Sequence, residues 1–316
     1  MPLWLSESDV HTSLPMSDLI PAMERALAGF SGGRAVQPVR SVLEYRPAAY
    51  FGVMPAYVPA SKLAGAKLLT FIPGNLDKGM PTHQALITLF DPETGALLAV
   101  ADGRYITEAR TAAVSAVSTR YLAREDASIL AIIGSGVQAH SHLEALPLVR
   151  DFREIRVWSP TRSRLEAFVA HAGPRVQAAV SAEAAIRGAD VVVLATNSTT
   201  PVIEDAWIDP GTHVIAVGAC RPNHHEVPPA LMGRALLVVD SRAAAIVESG
   251  DVILSHSQDR IFAELGEIAA GTKTGRTAAG QITIFKSLGL AIEDVVSAGV
   301  AYRRALEAGR GTQVAL

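Results

Sequence analysis

Two cations stand where folding alone gives no reason for them. Lys67 lies in the run Ala64-Gly65-Ala66-Lys67-Leu68-Leu69-Thr70-Phe71-Ile72, which is otherwise apolar. Lysine is almost never fully buried without a partner, and strand alternation puts Lys67 on the face of Leu69 and Phe71. A cation inside a pocket, meeting an anionic substrate, accounts for it; an edge-strand lysine with its head in water is the competing reading. Arg110 falls in the first turn of a helix expected from about Thr107 to Ala123. A cation there opposes the helix dipole at a cost of roughly 0.3–1 kcal/mol, and an anion bound at the helix start would reverse that balance. Thr111 beside it offers a hydroxyl to the same ligand. Arg40 opens the first strand of the following region, in Pro38-Val39-Arg40-Ser41-Val42. If Arg40, Lys67 and Arg110 converge, they make a clamp for a carboxylate; convergence is decided by tertiary structure.

A second constellation points to a dinucleotide. Gly134-Ser135-Gly136-Val137-Gln138-Ala139 follows the apolar strand Ser128–Ile133 and opens a helix to about Leu146. In that setting Gly134 permits the tight turn, Gly136 the approach of backbone to pyrophosphate, and Ala139 close helix–sheet packing. The helix N-terminus adds N–H donors and partial positive charge. At the end of the next strand an NAD site usually has an acid for the ribose 2′-hydroxyl. Here the chain reads Val157-Trp158-Ser159-Pro160-Thr161-Arg162-Ser163-Arg164, without a carboxylate. Ser159, Thr161, Arg162 and Arg164 suit a 2′-phosphate, which favours NADP(H) over NAD(H); a solvated helix start is the alternative for the two arginines. Thr196-Asn197-Ser198 and Val217-Gly218-Ala219-Cys220 close two later strands, the ends at which open α/β sheets bind ligands. Each is also readable as an ordinary turn. His83 adjoins a Gly/Pro loop and is a candidate ligand contact. His140 and His142 lie two apart and cannot chelate as a helical pair, and no metal-site spacing appears. Cys220 has no base partner visible in the sequence, which argues against a nucleophile.

These residues need elements to carry them. An amphipathic helix is expected over 15–33, with Ser17 as N-cap and Gly32-Gly33 as its stop. Short alternating runs follow, at 40–46, 50–57, 64–72, 85–90 and 96–101, separated by turn signals such as Asp91-Pro92-Glu93-Thr94-Gly95; they read as an antiparallel sheet with tight hairpins. After the Thr107 helix, strands and helices alternate. Expected strands are 129–133, 155–158, 176–180, 191–195, 213–217 and 236–239, mostly apolar throughout, as a parallel sheet covered on both faces requires. A last helix runs from Ser287 to about Ala308. The fold class is therefore α/β: a doubly wound Rossmann domain over 119–282, and an α+β domain with an antiparallel sheet from 1–118 plus 283–316.

Composition narrows the partners. The 316 residues are 49% hydrophobic and 19% charged, with a formal net charge of -3. A nucleic-acid surface needs clustered Lys and Arg, which are absent. No apolar run reaches the roughly 20 residues of a membrane span, and the N-terminus lacks the basic and apolar regions of a signal peptide. The one cysteine, Cys220, fits a reducing compartment. These point to a cytoplasmic enzyme.

With these residues in place a resemblance is clear. The stretches FGVMPAYV (51–58), PTHQALITLFDPETGALLAVADGRYITEARTAAVSA (81–116), GSGVQAHSH (134–142), ESGDV (248–252), IFAELGEI (261–268) and FKSLGLAIED (285–294) resemble the ornithine cyclodeaminase/mu-crystallin family, in its ketimine-reductase branch. The resemblance covers nearly the whole chain. It implies a homodimer, and it implies that Arg40, Lys67 and Arg110 bind a substrate carboxylate, with Lys67 a candidate proton donor. It further implies cofactor contacts at Thr82, His83, Thr111, Val137, Gln138, Ser159, Thr161, Thr196, Val217 and Ser287, and a place near the substrate for Glu248. Cyclodeaminases of the family carry an Asp in the loop where this chain has Cys220-Arg221-Pro222, and an acid ending the second strand. Neither is present, which argues against ammonia expulsion.

The expected reaction is NADPH-dependent reduction of a cyclic ketimine carboxylate, Δ1-piperideine-2-carboxylate or Δ1-pyrroline-2-carboxylate, to pipecolate or proline. An alanine or arginine dehydrogenase acting on a keto acid and ammonia, a cyclodeaminase, and a crystallin-like protein that binds a ligand beside NADPH are the alternatives.

Overall fold

The computed structural model describes residues 1–315. It divides into two compact units, Met1–Arg110 with the chain from Leu290 onward, and Thr111–Gly289. The sequence had suggested boundaries at 118/119 and 282/283.

In the first unit, strands β1 (Leu3–Leu5), β2 (Ser41–Arg46), β3 (Ala49–Val58), β4 (Leu63–Phe71), β5 (His83–Phe90) and β6 (Leu97–Asp102) form one sheet with the short strand Thr312–Gln313. The spatial order is Thr312–Gln313, β1, β6, β5, β4, β3, β2. Strands β2 to β6 are an antiparallel meander, as expected. The sheet as a whole is mixed, because β1 pairs parallel with β6. Three residues are too few to display a periodicity, so β1 leaves no sign in the local pattern. The β5–β6 turn is held by Asp91, whose Oδ1 accepts from the amides of Glu93 and Thr94 at 2.8 and 3.0 Å.

Helices cover this sheet. Helix α1 (Glu7–Ser13) is closed by a capping box between Ser6 and Asp9. Helix α2 (Met16–Ser31) starts after Pro15, so Ser17 lies inside it and is not the expected N-cap. It buries Leu19, Ile20, Met23, Ala26 and Leu27 along one stripe. The C-terminal helix, Ala291–Glu307, has apolar residues buried over most of its length. It sits tight on the sheet because two glycines allow it. A Cβ at Gly65 would lie 3.1 Å from Val295 Cγ2 of that helix, and one at Gly299 would lie 2.4 Å from Leu63 Cδ1.

The second unit holds eight strands: β7 (Ile129–Ile133), β8 (Glu154–Trp158), β9 (Val176–Ala178), β10 (Val191–Leu194), β11 (His213–Ala216), β12 (Leu236–Val239), β13 (Ile261–Glu264) and β14 (Thr283–Lys286). Their order is β13-β12-β14-β11-β10-β7-β8-β9, and every pairing is parallel. The run β9-β8-β7-β10-β11 is the Rossmann order, with its topological switch between β7 and β10. Strands β10 and β11 are buried at every residue, in keeping with helices on both faces. Several strands stop earlier than the apolar runs suggested: β9 at Ala178, β10 at Leu194 and β11 at Ala216. Strands β13 and β14 were not anticipated, since each is four residues long and ends on a charged residue. Helix α3 (Gly103–Leu122) begins in the first unit and ends in the second.

Candidate active site

In the first unit β4 is an interior strand, paired with β3 and β5, and Lys67 stands opposite Met54 and Ile87. Its side chain is 1% exposed. The edge-strand reading is therefore wrong, because β4 is no edge and the ammonium is not in water. The Lys67 Nζ lies 2.8 Å from Asp294 Oδ2 and donates to Thr107 Oγ1 at 3.4 Å. Arg110 Nε donates to Asp294 Oδ1 at 3.2 Å, and its Nη1 donates to Glu293 Oε2 at 3.0 Å. Since α3 begins at Gly103, Arg110 lies about two turns in, and the dipole argument does not apply to it. The dipole acts within the first turn; what accounts for the buried guanidinium is a pair of carboxylates.

Those carboxylates, Glu293 and Asp294, were missed by sequence reasoning. The signal was present: two adjacent acids in the apolar stretch Leu288–Ser297 call for partners by the same logic as Lys67. Both are fully buried in the first turn of the C-terminal helix, where the dipole favours anions.

Burial lowers the Lys67 pKa to about 8, with Asp294 opposing and Arg110 and Arg40 assisting. Burial alone would raise Asp294, but Lys67 and Arg110 outweigh it and hold the carboxyl below its ordinary value. His83, at the start of β5, is lowered to about 4 by burial and by Lys67 and Arg110, so its imidazole is neutral at pH 7. With Arg40, Lys67 and Arg110 cationic against Glu293 and Asp294, one positive charge is left over. A small monoanion would neutralise it. Thr82, just before His83, accepts the Ile72 amide through its carbonyl at 2.8 Å.

In the second unit the Gly134 loop sits at the switch point. Gly134 has φ +127, and a Cβ there would lie 2.3 Å from the Ala195 carbonyl oxygen; its amide donates to the Trp158 carbonyl at 2.8 Å. Only glycine fits. Gly136 caps helix α4 (Val137–Ala145) with no side-chain hydrogen bond, and nothing lies within 4 Å of where its Cβ would be. The first-turn amides of α4 thus face open space. Gln138 Oε1 is buried without a hydrogen-bond partner among the described residues. Bare amides, an open glycine and an orphaned acceptor fit a dinucleotide. Behind the loop, His142 bridges the Gln138 carbonyl at 2.7 Å and Ser115 Oγ at 2.8 Å.

Past β8, Ser159 is half-buried and Thr161 caps helix α5 (Arg162–His171) without a side-chain bond. Arg162 pairs with Glu166 at 2.8 Å on the surface, and Arg164 is exposed. Beyond β10 and β11 lies a buried charged network that the sequence did not disclose. Glu226 Oε1 accepts from the Thr196 amide and hydroxyl at 2.9 and 2.7 Å. Its Oε2 accepts from the amides of Gly218 and Ala219 at 2.7 and 3.1 Å. Asp251 receives the amides of Glu226 and Val227 and pairs with Lys286, at the end of β14, at 2.9 Å. Burial raises Glu226 to about 7, against Lys286 and Thr196. Val217 is buried and Asn197 exposed. Cys220 is half-buried, with its Sγ 3.6 Å from the Val217 carbonyl. Glu248 ends the helix Arg242–Glu248, and the Ser287 hydroxyl donates to Asp240 Oδ2 at 3.3 Å.

The structure thus assembles Lys67, Arg110, Arg40 and His83 within the first unit. Within the second it gathers Gly134, Gly136, Val137 and Gln138 at the loop, and Ser159, Thr161, Thr196, Asn197, Val217 and Cys220 at neighbouring strand ends. Thr111, buried on α3, opens the second unit.

Comparison with known proteins identifies the family. The ketimine reductase mu-crystallin of Rattus norvegicus is 44% identical over 306 residues, covering 95% of this chain and 96% of the relative. The structure of Thermococcus litoralis Δ1-pyrroline-2-carboxylate reductase in complex with NADH and L-proline superposes with a TM-score of 0.96 at 38% identity. It covers 99% of this chain and 100% of that one. An archaeal alanine dehydrogenase dimer with bound NAD gives a TM-score of 0.94 at 35% identity, over 100% and 99% of the two chains. The sequence profile of one family matches residues 2–309. The chain belongs to the ornithine cyclodeaminase/mu-crystallin family.

Proposed function

We propose that this chain is an NAD(P)H-dependent oxidoreductase that reduces the C=N bond of a cyclic ketimine carboxylate. Δ1-Pyrroline-2-carboxylate and Δ1-piperideine-2-carboxylate are the substrates that reading names, with proline and pipecolate as products. The observation that carries it is the buried, charge-balanced cluster of Lys67 and Arg110 with Glu293 and Asp294, beside which the cation of Arg40 is left to match one carboxylate. Arg40 and Arg110 orient the substrate acid, and such positioning lowers a barrier by several kcal/mol. Lys67, acidified by burial, gives its proton to the imine nitrogen. His83, neutral, borders the same acid, and the resemblance adds Cys220 and Glu248 as substrate-side residues. The cofactor, when bound, supplies the hydride that C2 receives.

Gly134, Gly136, Val137 and Gln138 hold the pyrophosphate region, and Thr196, Asn197, Val217 and Ser287 the nicotinamide side. Ser159, Thr161, Arg162 and Arg164 select NADP(H), since no carboxylate repels a 2′-phosphate there. The relatives with NADH and NAD in their structures keep NAD(H) as the competing cofactor. The same comparisons give the second reading, an amino-acid dehydrogenase that forms its imine from a keto acid and ammonia, as the alanine dehydrogenase does by name.

Reduced-nicotinamide consumption decides between them. With preformed five- and six-membered ketimines, NADPH is expected to be consumed rapidly, and with pyruvate plus ammonia slowly. Consumption in the second mixture alone rejects the ketimine reading.

Self-association belongs to the same proposal. Strand β2 is exposed at every residue, and Val36, Val39, Val42, Leu43 and Tyr45 leave 45–64% of their surface open. An apolar edge of this kind favours a partner, and sedimentation at assay concentration should give a homodimer. No helix among the described residues is long and apolar enough to cross a membrane; a cytoplasmic enzyme is the matching placement.

A further inference from the structure

We infer that Asp294 is the positioning residue of this site: its two oxygens lock the Lys67 ammonium beside the Arg110 guanidinium and keep that ammonium charged for proton delivery. The consequence for catalysis rests on the ketimine reading; the geometry does not.

Asp294 Oδ2 lies 2.8 Å from Lys67 Nζ while Oδ1 accepts from Arg110 Nε at 3.2 Å. One carboxylate thus spans two cations that would otherwise repel. Glu293 takes Arg110 Nη1 at 3.0 Å, so the guanidinium is fixed at two of its nitrogens and its plane is set. The acid is fully buried and rides the first turn of the C-terminal helix, where the macrodipole favours its ionised form.

The groups facing Lys67 come from four other segments. Asp294 comes from the C-terminal helix, Thr107 and Arg110 from α3, Arg40 from the segment before β2, and His83 from β5. Burial, Arg110 and Arg40 disfavour the lysine's charge, and Asp294 opposes all three. The neutral imidazole of His83 adds no charge at pH 7. With the carboxylate present, the ammonium is charged at neutral pH yet acidic enough to surrender a proton. Without it, every remaining influence drives the proton off. During reduction C2 gains the hydride, the ring nitrogen gains the Lys67 proton, the nicotinamide is oxidised, and the free amine takes a proton back from water.

The test titrates lysine-13Cε-labelled protein by NMR, wild type against Asp294→Asn, and measures kcat/KM against pH in both. The Lys67 midpoint should fall by about one pH unit or more, while Lys62, Lys78, Lys273 and Lys286 hold theirs. The alkaline limb of the rate profile should move down by the same amount. In Lys67→Arg, whose guanidinium cannot surrender its proton, kcat/KM should collapse, and adding Asp294→Asn should move no alkaline limb in the residual rate. An unmoved Lys67 midpoint overturns the inference, and so does a moved midpoint with an unmoved limb. If Asp294→Asn does not fold, Asp294→Glu keeps the charge one methylene further out. A retained midpoint then supports the inference, and a large fall overturns it. Wild-type protein inactive on every ketimine, with the midpoint still falling in Asp294→Asn, removes the reductase reading and leaves the carboxylate's hold on Lys67 standing.

Discussion

At the scale of single residues, the site is built from charges that would be intolerable alone. A buried ion left without its partner costs several kcal/mol, and Lys67, Arg110, Glu293 and Asp294 escape that cost only together. The cofactor side works by a different residue logic, in which omission matters. Gly134 and Gly136 supply space, and the chain after β8 omits an acid. On the NADP(H) proposal, cofactor choice would rest on residues whose present partners are weak. The Arg162–Glu166 pair is solvent-exposed, and exposed pairs contribute little, so a 2′-phosphate competes for that guanidinium at small cost. The double variant Arg162→Ala/Arg164→Ala should lower the preference for NADPH over NADH about tenfold or more, since a charge-assisted hydrogen bond is worth roughly 1.5–3 kcal/mol. Steady-state kinetics with both cofactors read it directly. An unchanged ratio would mean that Ser159 and Thr161 carry the selection or that none exists.

At the scale of elements, the ends of β10, β11 and β14 are tied into one framework. Glu226 joins the first two through the amides of Thr196, Gly218 and Ala219, and Lys286 brings in the third through Asp251 and the Ala219 carbonyl. Parallel strands end at different heights unless something sets them, and here a buried carboxylate does. Glu226→Ala would leave one buried and two part-buried amides without acceptors, at about 1–3 kcal/mol each. Urea denaturation should show a loss of about 3 kcal/mol or more. Glu226→Gln keeps the shape and an acceptor oxygen and should lose less. Equal losses would mean that charge rather than shape sets the strand ends.

At the scale of the whole molecule, buried titratable groups link stability to pH. His142 and His213 are lowered by burial to about 4 and about 3, and His83 to about 4. Their unfolded counterparts titrate near 6.5. As pH falls below that value the unfolded chain binds protons that the folded one refuses. Each imidazole then removes up to about 1.4 kcal/mol of stability per pH unit until its folded pKa is reached. Glu226 works the other way between its ordinary value of 4.5 and about 7, since its folded form binds the proton first. Three imidazoles outweigh one carboxyl, so the urea midpoint should be lower at pH 5 than at pH 7. In His142→Gln the slope should be shallower. A midpoint that rises on acidification would show that the histidines are not buried neutral.

The amino-acid sequence alone determined the parts whose physics is local. The Gly134 loop, the apolar runs of the parallel sheet, the Asp91 turn and the existence of most helices follow from sterics and periodicity within a few residues. The suspicion attached to Lys67 is local as well, because a charge in an apolar strand is visible without its partner. Its partner is not visible: Asp294 meets Arg110 across 184 positions of chain and reaches Lys67 through the packing of a helix that Gly65 and Gly299 let close. Nor could local pattern show where α3 begins, that β14 inserts between β11 and β12, or that Glu226 fastens the strand ends. Burial and pairing of charge are properties of packed surfaces, and only the tertiary structure brings those surfaces together.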